Sequence, residues 1–192
     1  TNTVTVPDST VAGAITFGTA TWDSGKAEIT VSTTTSYTIE YQINSTAGAW
    51  TKVNTGAVGG TSVTVSNLNH NDIVYARLTD GTSSGNHASV TIADGIAPTV
   101  TLTLSNQTTN SITATAVATD NESGIGLSAT YKFSIKKASE DDSKYVEKQK
   151  TTSNTCVITD LEQNTSYTVK VEVEDVAGNA GTKTATASTI TV

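Results

Sequence analysis

The chain has 192 residues, a formal net charge of −7 and 35% hydrophobic residues, against ~45–50% apolar for an average globular chain. No apolar run approaches the ~20 residues of a membrane helix. Both halves are acidic, with 3 Lys+Arg against 7 Asp+Glu up to residue 96 and 8 against 11 beyond it. That balance argues against electrostatic capture of nucleic acid or of an anionic membrane. Threonine, a β-branched strand former that tolerates water, makes up roughly a fifth of the residues. These figures point to two small β domains with thin cores rather than one thick-cored α/β enzyme.

Period two runs through the chain and period 3.6 hardly occurs. In chain order, alternation marks Ala27-Glu28-Ile29-Thr30-Val31, then Tyr37, Ile39, Tyr41 and Ile43 against Thr38, Glu40 and Gln42, then Ser62-Val63-Thr64-Val65. It resumes over 99–104, 111–118, 131–135 and 168–173. Turn signals separate the runs at Asp23-Ser24-Gly25, Asp80-Gly81, Asn121-Glu122-Ser123-Gly124 and Gly178-Asn179. The charged stretch from Lys136 to Lys150, with Glu140-Asp141-Asp142 inside it, reads as a solvated hairpin between two strands. Many short strands at this spacing make an antiparallel sandwich.

Asp94-Gly95-Ile96-Ala97-Pro98 lies between two strand-like runs and holds one of two prolines, which suits a stiff junction. The expected domains are therefore 1–95 and 96–192. They read as distant copies. Leu68, a strand through Val74 and Tyr75, Asp80-Gly81 and Gly85-Asn86 in the first match Leu161, a strand from Tyr167, Asp175 and Gly178-Asn179 in the second. Two copies in a chain with no methionine suit an array, and the start at Thr1 reads as that of a fragment or a processed chain, with no signal peptide in the sequence given.

Leu161-x5-Tyr167-x-Val169-x-Val171 resembles the signature of fibronectin type III domains, which implies a tyrosine corner at Tyr167. Asp175-x-x-Gly178-Asn179 resembles a turn common in immunoglobulin-like repeats of bacterial surface proteins. The run from Ala118 to Ile125 is similar to the B–C region of such repeats. In the first half, Tyr75-Ala76-Arg77-Leu78-Thr79-Asp80-Gly81, preceded by a strand pair around Tyr41 to Trp50, is similar to a second flavour of them. Its Tyr75 stands seven residues after Leu68, not six, so no corner is expected there. The resemblance implies tandem all-β sandwiches in an extracellular or cell-surface setting.

Candidate chemistry is sparse. His70 and His87 fall in loops, beside Asn71-Asp72 and Asn86, but no nucleophile elbow or Gly-rich phosphate loop gives them a catalytic context, so no catalytic residue is assigned. Trp22, Trp50, Tyr37 and Tyr41 are the aromatic candidates for a sugar platform. Tyr37 and Tyr41 share a face with Ile39 and Ile43, and all four aromatics are expected at the core edge. In a sandwich the B–C and F–G loops meet at one pole. There Asp120, Asn121, Glu122, Asp175 and Asn179, with Asp94 in the linker, offer oxygens of the kind Ca²⁺ takes. The competing reading is that Asp and Asn serve the turns themselves. No metal ligand or cofactor is assigned. Cys156 in Thr155-Cys156-Val157-Ile158 reads as a small buried apolar residue. Sequons at Asn44, Asn106, Asn121 and Asn164 arise readily by chance in a Thr/Ser-rich chain.

The expected function is a non-catalytic spacer or adhesive module of a larger bacterial extracellular protein. Its partners would be neighbouring domains and a host or glycan ligand, with no nucleic acid, no membrane insertion and a monomeric state. The alternatives are an accessory module of a secreted polysaccharide-degrading enzyme and a phage decoration domain.

Overall fold

Burial alternates along the strands as a pleated backbone requires. In Lys26–Thr33 the residues Ala27, Ile29, Val31 and Thr33 are buried, while Lys26, Glu28 and Thr30 face water. In Ser166–Glu174 the buried set is Tyr167, Val169, Val171 and Val173. The computed structural model describes residues 2–6, 11–53 and 61–191. It divides into two compact units, Thr1–Asp94 and Gly95–Val192. Both are all-β and antiparallel.

The first unit runs β1 (Asn2–Val6), β2 (Gly13–Phe17), β3 (Thr21–Asp23), β4 (Lys26–Thr33), β5 (Thr38–Ile43), β6 (Thr51–Lys52), β7 (Thr61–Leu68), β8 (Ile73–Thr79) and β9 (Ala88–Thr91). One sheet follows the order β1-β2-β4-β3 with β7 also on β4, and the other is β6-β5-β8-β9. Their inward faces meet in a core of Ile15, Phe17, Ile29, Val31, Ile39, Leu68 and Val74, all at most 2% exposed. Trp22, Tyr37 and Tyr41 pack against this core from its edge, as the strand pattern implied.

The second unit runs β10 (Thr99–Ser105), β11 (Ile112–Thr119), β12 (Tyr131–Lys137), β13 (Val146–Thr151), β14 (Thr155–Ile158), β15 (Ser166–Glu174) and β16 (Ala180–Ser188). Its sheets are β10-β11-β14 and β13-β12-β15-β16. Phe133, Ile112, Ile158, Val169 and Val171 fill the space between them. The charged stretch is a β12–β13 hairpin tipped by one 3₁₀ turn, Asp142–Lys144, which Asp141 caps by accepting from the Ser143 N–H. Tyr167 is buried, and its hydroxyl accepts a hydrogen bond from the Glu162 N–H at 3.0 Å. That is the tyrosine corner. Gly181 on β16 rides against Pro98 and Val100, where a Cβ would collide with the Pro98 carbonyl. Only glycine permits so close an approach.

Candidate functional site

Trp50 departs from its expected place at the core edge. In β5 the core-facing residues are Ile39 and Tyr41, so Glu40 and Gln42 point to the outer face of their sheet. There Glu40 stands opposite Arg77 of β8 and Lys52 of β6. The Arg77 Nε donates to Glu40 Oε2 at 2.7 Å, Lys52 Nζ lies 3.5 Å from Oε1, and Ser84 Oγ donates at 3.3 Å. Glu40 is 2% exposed, and these three partners satisfy its carboxyl oxygens. Held this way, the Arg77 guanidinium lies 4.2 Å from the centre of the Trp50 ring. Guanidinium planes favour such stacking.

The cluster continues sideways. His87 lies 6.2 Å from Trp50 and 5.4 Å, edge-on, from Tyr75, the rings inclined at 41° and 77°. Gln42 Nε2 donates to the carbonyls of Ala47 and Ala49 and so folds the loop that delivers Trp50. Inclined rings, one already covered by Arg77, do not make the flat stacking surface that a sugar ring needs. Tyr75 faces this cluster and forms no corner. The sequence signal for this assembly was Glu40 and Gln42 sharing one side of β5, but their partners come from β6 and β8.

In the second unit Asp120 and Asp175 do converge, offering carboxylate oxygens within 4.8 Å of one another. Asp120 Oδ1 accepts from the N–H groups of Glu122, Ser123 and Gly124 at 3.1, 2.8 and 2.6 Å. Asp175 accepts from Asn179 N–H and from Asn179 Nδ2, both at 2.8 Å. Each carboxylate therefore organises its own loop, and Gly124 and Gly178, at φ 83° and 90°, supply the left-handed backbone. Glu122 turns onto its loop and accepts from Asn121 N–H. Asp94 is buried, and its N–H donates to His70 Nδ1 at 3.0 Å. That bond gives the loop histidine His70 a structural task.

Cys156 is buried on β14, and burial pushes its thiol up, away from the reactive thiolate. Asn44 spends its amide on Asp72 and on Ile73 N–H. Asp72 in turn ties the β7–β8 turn. Burial alone would raise its pKa, but hydrogen bonds from Asn44 and Asn69 and the Lys26 charge outweigh it and hold the carboxyl below its ordinary value.

No family model and no curated protein matches the chain. Among solved structures it is similar to a two-domain fibronectin type III segment from chicken tenascin, at 12% identity and TM-score 0.53, over 97% of this chain and 100% of that one. It is also similar to the FN1–FN3 domains of chicken CNTN1 (13% identity, TM-score 0.40, 85% of this chain and 63% of that one). Domains A168–A170 of titin give 13% identity and TM-score 0.45, over 86% of this chain and 59% of that one. The chain thus spans about three-fifths of those two structures. At 12% identity the tenascin likeness bears on fold alone: the chain is a tandem of all-β sandwiches of the fibronectin type III and immunoglobulin-like kind.

Proposed function

We propose that the chain is a non-catalytic structural module, a spacer or stalk segment of a larger bacterial extracellular or cell-surface protein. The observation that carries this reading is how the chemistry-bearing side chains are spent. Asp120 and Asp175 hold turns, Asp72 and Asn44 hold a turn, and Glu40 braces a sheet. Groups committed to holding backbone in place serve rigidity, which is what a spacer needs. The tandem sandwich fold is compatible with that role.

Pulling the chain by its ends in a single-molecule force experiment tests it. Two unfolding events are expected, each releasing about 30 nm of chain at ~3.3–3.6 Å per residue. Unfolding at forces no higher than those of a helical domain would remove the load-bearing role. The readings as an accessory module of a polysaccharide-degrading enzyme or as a phage decoration domain call for the same sandwiches. Domains encoded beside this one in the full-length gene separate them.

A further inference from the structure

We propose that Asn164 is an acceptor site for N-linked glycosylation and that Asn44, Asn106 and Asn121 are not. All four stand in Asn-x-Ser/Thr. Transfer joins the asparagine Nδ2 to the anomeric carbon of a sugar carried on a polyprenyl diphosphate. The bond from that carbon to the phosphate oxygen breaks, the diphosphate leaves with the electron pair, and the amide gives up one proton. Two groups must be free to enter the transferase: the amide that attacks and the hydroxyl two places on, which the enzyme reads. Groups already bonded inside the fold would have to give up those bonds first.

The four sequons differ on this point. Asn44 Nδ2 donates to Asp72 Oδ1 and Asn44 Oδ1 accepts from Ile73 N–H, both at 2.7 Å, so this amide is tied at both ends. Asn106 is exposed, but the Thr108 hydroxyl is taken, bonding Ser111 Oγ at 2.7 Å and Asn110 Oδ1 at 3.2 Å. Ser123, which completes the Asn121 sequon, is half-buried, and its hydroxyl accepts from Ala177 N–H at 3.3 Å. Asn164 lies in the turn between β14 and β15 at φ 50°, and both it and Ser166, the first residue of β15, are exposed. Among the described residues neither the Asn164 amide nor the Ser166 hydroxyl has a hydrogen-bond partner.

A second observation singles out the same residue. Glu162 precedes Asn164 by two places, whereas Gln42, Leu104 and Thr119 hold that place before the other three. Bacterial transferases of this class read an acidic group there by pairing it with a cation of their own. The Glu162 side chain is 66% exposed while it pairs with Lys137 Nζ at 2.6 Å. Exposed ion pairs hold weakly, so exchanging Lys137 for the enzyme's cation costs little. Transfer takes place outside the cytoplasm, so its occurrence in the cell rests on the extracellular setting proposed above. The competence of the site rests on the fold alone.

The folded chain, mixed in vitro with a bacterial oligosaccharyltransferase of that specificity and a polyprenyl-diphosphate-linked oligosaccharide, tests the site. A sequon peptide in the same reaction checks that the enzyme is active. Intact mass should show one added glycan, and peptide mapping should place it on Asn164. Asn164→Gln and Ser166→Ala should each abolish the addition, and Ser166→Thr should retain it. Glu162→Gln should slow transfer about tenfold, as loss of a charge-assisted contact would. The control Asn106→Gln/Asn121→Gln should accept the glycan as the parent does. An unmodified parent, a glycan on any of the other three asparagines, or transfer that Ser166→Ala leaves unchanged would overturn the proposal. Because the folded protein is tested outside any cell, such a failure strikes the site and leaves the spacer reading standing.

Discussion

Tyr167 shows how one side chain can serve core and backbone together. Its ring lies among Val169, Val171 and Leu161 in the core cluster, and its hydroxyl satisfies the Glu162 N–H. Tyr167→Phe should keep the fold and cost about 1 kcal/mol, a typical net hydrogen bond, measured by denaturant titration. Asp120 concentrates three N–H donors on one oxygen. Asp120→Ala should destabilise the second unit by ~1–3 kcal/mol, the cost of leaving donors unsatisfied. With the carboxylates acting as turn formers, melting curves of the parent in calcium and in chelator should coincide. A calcium-dependent rise that Asp175→Ala abolishes would replace that reading with a metal-stabilised loop.

Asp72 contributes to the acid response of the first unit. Its folded pKa is held below the ordinary value by Asn44, Asn69 and Lys26. A depressed carboxylate contributes stability above its unfolded pKa and loses it as pH falls through the folded one. Asp72→Asn should therefore melt lower than the parent at pH 7, and the gap should close below about pH 4. A gap that stays constant down to pH 2.5 would assign the effect to lost hydrogen bonds rather than to charge.

At the scale of elements, strands were legible because one face of each is buried and period two records that burial. Lys26–Thr33 and Ser166–Glu174 show it plainly. The β12–β13 hairpin was legible from its charges, since six strand residues from Val146 to Thr151 lie at a sheet edge, five of them exposed. Partners were not legible. Nothing local to Gly181 announces that Pro98 will lie against it, because their closeness comes from β10 and β16 meeting across the two sheets. Gly181→Ala should lower stability by ~1–3 kcal/mol, the usual cost of overpacking, with a matching fall in melting temperature. The same blindness misplaced Trp50. An aromatic after Ala47-Gly48-Ala49 reads as core, but Gln42 folds the loop outward and Arg77, 27 residues further on, covers the ring.

For the whole molecule, each unit holds its own core: one from Val11 to Ile92, the other from Val100 to Val173. The chain 95–192 produced alone should therefore fold and melt cooperatively. Tyr167→Phe should cost the same within ~0.5 kcal/mol in that piece as in the full chain, as expected for a site with no partners elsewhere. A piece that fails to fold, or a cost that differs between the two contexts, would mean that the units share stabilising contacts.

The sequence by itself determined the class of object: all-β, acidic and thin-cored, with a buried Cys156; the corner at Tyr167 came from its resemblance to fibronectin type III domains. Those features depend on alternation, composition and spacings of a few residues, all of which are local. Only the tertiary structure decided which side chains meet across strands. Glu40 finds Arg77 and Lys52, Lys132 finds Lys150, and Asp120 comes close to Asp175. These pairs lie between 12 and 55 residues apart. Register and sheet order, set by packing two apolar faces together, bring them into contact, and no local pattern in the chain encodes either.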